Sequence, residues 1–187
     1  MQKELSREEC LSILKEYTKS DSLLKHAFAV EACVSTYAKK FGEDEVYWGN
    51  VALLHDFDYE KFPTAEEHPY KGNEILKELG FSEEFRTTIM SHAEYTEIPR
   101  ITKLQKTLFA CDELAGFITA VTYVRPSKSI DEVQVKSVKK KMKDKGFARA
   151  VNREEIIFGA EDMGVQLDEH IQFCIDTMKK KKELLGL

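Results

Sequence analysis

The chain has no long hydrophobic run. Its uninterrupted apolar stretches are only a few residues each, too short for a membrane-spanning helix. The segment Met1-Gln2-Lys3-Glu4 lacks the apolar core of a secretory signal, so the expected compartment is the cytoplasm. No CxxC pair occurs: Cys10, Cys33, Cys111 and Cys174 are scattered, which removes a zinc-ribbon reading. Cys33, Cys111 and Cys174 fall in apolar helical patterns and are expected to be small buried hydrophobes of a reduced protein. Positive charge is not in excess either, and a net charge of -5 argues against nucleic acid as the main partner. Strand-like alternation and internal repeats are also missing.

What remains is helical periodicity on 187 residues, enough for one domain with a self-sufficient core. Ser6-Arg7-Glu8-Glu9 reads as a capping box. Asp21 is expected to cap a second helix that runs to about Phe41 and ends at Gly42. A third spans about Asp44 to His55, and a loop containing Pro63 follows. Helices are predicted at about 67–79 and 82–93, the latter capped by Ser82. A long apolar helix covers about 101–123 and stops before Pro126. Ser129-Ile130-Asp131-Glu132 reads as a capping box opening a basic helix through Lys136 and Lys143. Asn152 begins a short helix, and Leu167 to Leu185 closes the chain, with Lys179 to Lys182 in its last turns. Both lysine runs are expected to be solvated helix faces. The prediction is a single all-α domain over 1–187.

Four of the five histidines form an ordered series with two aspartates: His26, His55-Asp56, His68, His92 and Asp112. His55-Asp56 ends the apolar run Val51-Ala52-Leu53-Leu54, where an imidazole and a carboxylate can grip one ion together. Asp112 interrupts an otherwise apolar helix. A carboxylate buried alone costs several kcal/mol, roughly, so it must be paired, hydrogen-bonded or metal-bound. Mixed imidazole and carboxylate donors suit Fe, Mn, Co, Ni or Zn better than calcium. His170 stands outside the series and is read as an ordinary core or surface residue.

The order His26…His55-Asp56…Asp112 resembles the signature H…HD…D of the HD-domain metal-dependent phosphohydrolase superfamily, over about residues 21–123. The segment His68-Pro69-Tyr70-Lys71-Gly72-Asn73-Glu74-Ile75-Leu76 resembles the HPxxGxxIL stretch of its HDIG and HD-GYP branches. The remainder, about 124–187, is then a helical extension of the same domain. The resemblance implies a helical bundle in which His26, His55, Asp56 and Asp112 hold a first ion. Asp56 would bridge to a second ion held by His68 and His92. His55-Asp56-Phe57-Asp58-Tyr59-Glu60-Lys61 departs from HDIGK, and the GYP segment is missing, so cyclic di-GMP cleavage is not expected. Asp112-Glu113-Leu114-Ala115-Gly116-Phe117-Ile118 and Val124-Arg125-Pro126-Ser127-Lys128 resemble stretches of a small group of HD hydrolases of about this length. Diadenosine tetraphosphate hydrolases of the superfamily share the ligand order.

The implied activity is hydrolysis of a small phosphorylated metabolite, such as a nucleotide or dinucleotide polyphosphate, by a metal-activated water. Arg125 and Lys128 are candidates to bind phosphate, with a helix stop and exposed turn as the alternative. Lys25 is a third candidate, against a solvated helix position. Asp56, Asp58 and Glu60 are candidates for catalysis, with a capped turn of solvated acids as the alternative for the last two. Two other functions stay open: a di-iron oxygenase of the HD type and an inactive HD ligand sensor. The reading also leaves a homodimer open.

Overall fold

The structure, a computed structural model, describes residues 6–187. Every regular element among the described residues is helical, as expected. Among the described residues the ten α-helices are α1 Arg7–Tyr17, α2 Asp21–Phe41, α3 Glu45–Leu53, α4 Tyr70–Glu78, α5 Glu83–Met90, α6 Lys103–Tyr123, α7 Val135–Met142, α8 Arg153–Asp162, α9 Leu167–Lys179 and α10 Lys182–Leu185. The two long helices α2 and α6 pack on each other and carry the rest: α3 lies on α2, α8 on α6, and α9 touches both. Their shared face is apolar, with Val30, Val34, Leu108, Leu114 and Ile118 fully buried. Gly159 of α8 allows a close approach, because a Cβ there would stand 2.8 Å from the Ala110 Cα of α6.

Several helix starts follow the sequence. Ser6 and Glu9 form the reciprocal capping box, Asp44 accepts from the Val46 and Tyr47 amides, Ser82 from Phe85, and Asn152 from Glu154 and Glu155. Asp21 does not cap α2. Ser20 holds that position without a side-chain bond, while Asp21 pairs with Lys25 one turn on. Glu60 instead accepts from the Lys19 and Ser20 amides at 2.6 and 3.0 Å, closing the α2 entrance from a distant loop. Ser129 does not open the basic helix. Its hydroxyl accepts from the Asp131 amide and starts a 3-10 turn at Ile130–Glu132, anchored by buried Ile130 and Val133. Gln134 and Ser137 then cap α7 reciprocally. The closing helix breaks at Lys181, and the short α10 folds back on α2, burying Leu185.

The cysteines behave as small hydrophobes: Cys10, Cys33, Cys111 and Cys174 are all 0% exposed. Burial pushes the Cys111 and Cys174 thiols up, as expected of inert core thiols. His170 lies beside them with both nitrogens engaged. Nε2 donates to the Ala110 carbonyl at 2.8 Å, and Nδ1 accepts from the Tyr37 hydroxyl at 2.8 Å. It is a satisfied core histidine.

Candidate metal centre

The sequence placed His55 and Asp56 on the third helix, but α3 ends at Leu53 and both residues lie in the turn after it. The early end has a local function. The last carbonyls of a helix have no intrahelical partner, and the Ala52 carbonyl accepts from His55 Nδ1 at 2.6 Å. The same arrangement recurs past the end of α5, where the Ile89 carbonyl accepts from His92 Nδ1 at 2.6 Å. In both cases the bond fixes the tautomer and leaves Nε2 as a bare acceptor.

His68 is oriented differently. Its Nδ1 donates to Asp58 Oδ1 at 2.8 Å, while Asp58 Oδ2 accepts from the Gly72 amide at 2.8 Å. Asp58 is fully buried behind the ring. It also places negative charge against the first turn of α4, where a helix dipole favours it. Gly72 is required for this contact, because a Cβ would lie 2.7 Å from the Asp58 carboxyl carbon and Oδ2. His26 comes from the second turn of α2 and Asp112 from the middle of α6.

These residues converge as two groups sharing Asp56. In the first, Asp112 Oδ1 lies 3.0 Å from His26 Nε2 and 3.4 Å from His55 Nε2. Asp56 Oδ2 lies 3.3 Å from His55 Nε2 and 3.8 Å from His26 Nε2. In the second, Asp56 Oδ1 lies 3.2 and 3.1 Å from the Nε2 atoms of His68 and His92, which are 3.3 Å apart.

The donor set fits a cation. Metal bonds of about 2.0–2.2 Å separate neighbouring ligand atoms by about 2.9–3.5 Å, and six of these seven distances fall within 3.0–3.4 Å, with only the His26–Asp56 edge longer. His55 Nε2 is buried without a hydrogen-bond partner. The His68 and His92 Nε2 atoms, each bare once Nδ1 has donated, face each other. Two lone pairs at this distance repel unless a cation or proton lies between them.

The electrostatics agree. Burial works against a charge on His55, but Asp56 and Asp112 outweigh it and raise its pKa well above the imidazole range. His68 rises to about 9, with Asp56 and Asp58 overcoming burial. Burial also disfavours charge on Asp56 and Asp112, yet His55 and its neighbours hold both below the usual carboxylate range. The cluster thus holds strong negative potential where positive charge can sit.

A cavity of about 550 Å³ opens on both groups, lined by His26, Asp56, His68, His92 and Asp112. Its other walls include Tyr59, Tyr95, Glu94, Glu113, Gly116, Val151 and Glu155. Tyr95 donates its hydroxyl to the His68 carbonyl at 2.8 Å. Burial and neighbouring Asp112 raise the Glu113 carboxyl to about 7.

The expected phosphate-binding and catalytic residues are distributed otherwise. Among the described residues, no lysine or arginine lines the cavity. Lys25 is paired with Asp21 at 2.8 Å. Arg125 donates to Ser137 Oγ at 2.7 Å, tying the end of α6 to α7, and Lys128 sits in an exposed turn with φ 51°. Asp58 positions His68 from behind, and Glu60 closes the α2 entrance; neither lines the cavity. Sequence reasoning missed Glu113, although the signal that marked Asp112, a charge within an apolar helix, marked it too. Glu155 carries no such signal in the sequence, and only tertiary packing brings it here.

An HD-domain family model matches residues 23–116. No curated protein and no solved structure matches the chain. The matched span covers half the sequence and contains all six residues of the His/Asp cluster, His26 through Asp112. An all-helical bundle converging these side chains on one cavity is therefore no chance likeness of motif: the chain belongs to the HD-domain family.

Proposed function

We propose that the protein is a metal-dependent phosphohydrolase with a two-ion centre, acting on a small phosphorylated metabolite. His26, His55, Asp56 and Asp112 hold one ion, and Asp56, His68 and His92 hold the other. The observation that carries this reading is the placement of the bare Nε2 atoms of His68 and His92 3.3 Å apart against one Asp56 oxygen. Nothing but positive charge resolves that arrangement, and Asp56 turns its second oxygen to the other group.

When bound, divalent ions there supply Lewis acidity to a phosphoryl oxygen and lower the pKa of a water. In the net reaction a water oxygen bonds to phosphorus, the bond to the leaving oxygen breaks, and that oxygen gains a proton. The protein's own part is preorganisation. The Ala52 and Ile89 carbonyls and the Asp58 carboxylate fix three imidazoles before an ion arrives, which removes reorganisation from the reaction. Asp56 bridges the two groups and sets their separation.

The test is elemental analysis together with phosphate release, on protein prepared without chelator and supplied in turn with Mn, Fe, Co, Ni and Zn. Wild type is expected to hold close to two ions per chain, and Asp56→Ala to lose both metal and activity. A fully metallated, fully active Asp56→Ala protein would refute the site.

A further inference from the structure

The cavity is asymmetric in charge. At the cluster end, two divalent ions held against Asp56 and Asp112 would leave an excess that one phosphate dianion of about two charges would neutralise. Beyond the cluster residues the lining carries Glu94, Glu113 and Glu155, and among the described residues no lysine or arginine lines the cavity. Glu94 is spoken for: Arg100 pairs with it at 2.8 Å and also stacks on Phe109, 3.7 Å from the ring centre. Glu113 and Glu155 form no ion pair among the described residues, although Arg100 lies near enough to Glu155 to favour its charge. Both lean on Asn152, whose backbone amide donates to Glu113 Oε2 at 3.2 Å and whose side-chain amide donates to Glu155 Oε1 at 2.6 Å. Asn152 is neutral, so it brings the two acids together without adding a charge of its own. No third donor completes a ligand set around them among the described residues, which distinguishes this wall from the two metal groups. A polyphosphate or dinucleotide would place further negative charge against this wall. A cation fits it, and the exposed faces of Tyr59 and Tyr95 add aromatic surface elsewhere in the same cavity.

We propose that Glu113 and Glu155 form a cation subsite, and that the substrate is an aminoalkyl phosphate whose ammonium group sits there while its phosphate lies at the His/Asp cluster. The proposal rests on the phosphohydrolase reading for the position of the phosphate. It assigns substrate selection to the Asn152-anchored wall, and it replaces the nucleotide polyphosphate that the sequence suggested.

The experiment is calorimetric titration of the metal-loaded full chain with ω-aminoalkyl phosphates of two to five carbons. Each is compared with the alkyl phosphate that carries a methyl group in place of the ammonium, and phosphate release is followed on the same compounds. At the chain length that spans the cavity, the ammonium compound should bind at least about tenfold tighter than its isostere, the scale of a partly desolvated charge pair. In Glu155→Gln the ratio should fall towards one while the isostere binds as before. Equal binding within every pair, no binding of either member, or a preference unchanged in Glu155→Gln would overturn the subsite. The two readings fail separately. Ammonium preference without phosphate release keeps the subsite and removes the hydrolase, whereas release without preference does the reverse.

Discussion

Replacing Gly72 with alanine sets helix propensity against the architecture behind His68. Gly72 lies in the first turn of α4, and alanine there is worth about 1 kcal/mol in intrinsic helix preference. Propensity alone therefore predicts a more stable protein. The structure predicts the opposite. The new Cβ would stand 2.7 Å from the Asp58 carboxyl carbon and Oδ2, and 3.0 Å from Oδ1. Ordinary contact needs about 3.5 Å, so the carboxylate must retreat by roughly 0.5–0.8 Å. Asp58 is fully buried and already holds two bonds of 2.8 Å, to the Gly72 amide and to His68 Nδ1. A retreat of that size takes the Gly72 bond close to the limit of about 3.5 Å. Leaving a buried group short of a partner costs about 1–3 kcal/mol, which cancels or exceeds the propensity gain.

The larger effect falls on the ion. A displaced Asp58 no longer fixes the His68 ring, and loss of such an outer partner lowers metal affinity by about 10–100-fold. In calorimetric metal titrations, Gly72→Ala should bind one ion as wild type does and the second 10–100-fold more weakly. Its melting temperature should not rise. A variant that melts higher than wild type and binds both ions unchanged would show that Asp58 does not position His68.

Arg125→Ala should leave KM for a phosphate ester unchanged and destabilise the protein by about 1 kcal/mol, because its bond to Ser137 ties α6 to α7. A tenfold rise in KM at unaltered stability would return Arg125 to the site. For His170, burial lowers the pKa below the ordinary 6.5. The unfolded chain takes up a proton as pH falls through 6.5 while the folded chain does not, so the contribution is complete above 6.5 and lost below it. Denaturant titrations of wild type and His170→Gln at equal ion load should show a steeper loss of stability in wild type below that pH, by at most about 1.4 kcal/mol per pH unit. Parallel profiles would mean that His170 is protonated alike in both states.

Helical class and most helix starts were legible because they depend on neighbours in sequence. Ser6, Asp44, Ser82 and Asn152 each satisfy amides two or three residues ahead, and the pattern needs no tertiary information. The misread starts are those settled by distant residues. Glu60 serves the α2 entrance from some forty positions away, so Asp21 is released to pair with Lys25. Buried Ile130 and Val133 hold the chain in a 3-10 turn, where Ser129 and Glu132 alone suggested a capping box. The end of α3 is a case of its own: periodicity carries the helix to His55, but the Ala52 carbonyl is worth more to the imidazole than to another turn.

The site divides along the same line. Histidine is scarce in this chain, with five residues, so an ordered series of four next to two aspartates stands out without any structure. Cations are common, with 28 lysines and arginines, and choosing Lys25, Arg125 and Lys128 among them required knowing which faced the cavity. The family match explains why the two questions separate. Residues 23–116 contain every residue of the His/Asp cluster, whereas the cavity-lining Val151 and Glu155 lie beyond the match, and Asn152, which braces Glu113, lies there as well. The candidate metal ligands thus lie in the segment that the family model matches, and the charge of the cavity is completed by a segment outside it. A resemblance confined to the first segment points to candidate ion ligands, but it cannot supply the charge of the rest of the cavity, which here is lined by Glu94, Glu113 and Glu155.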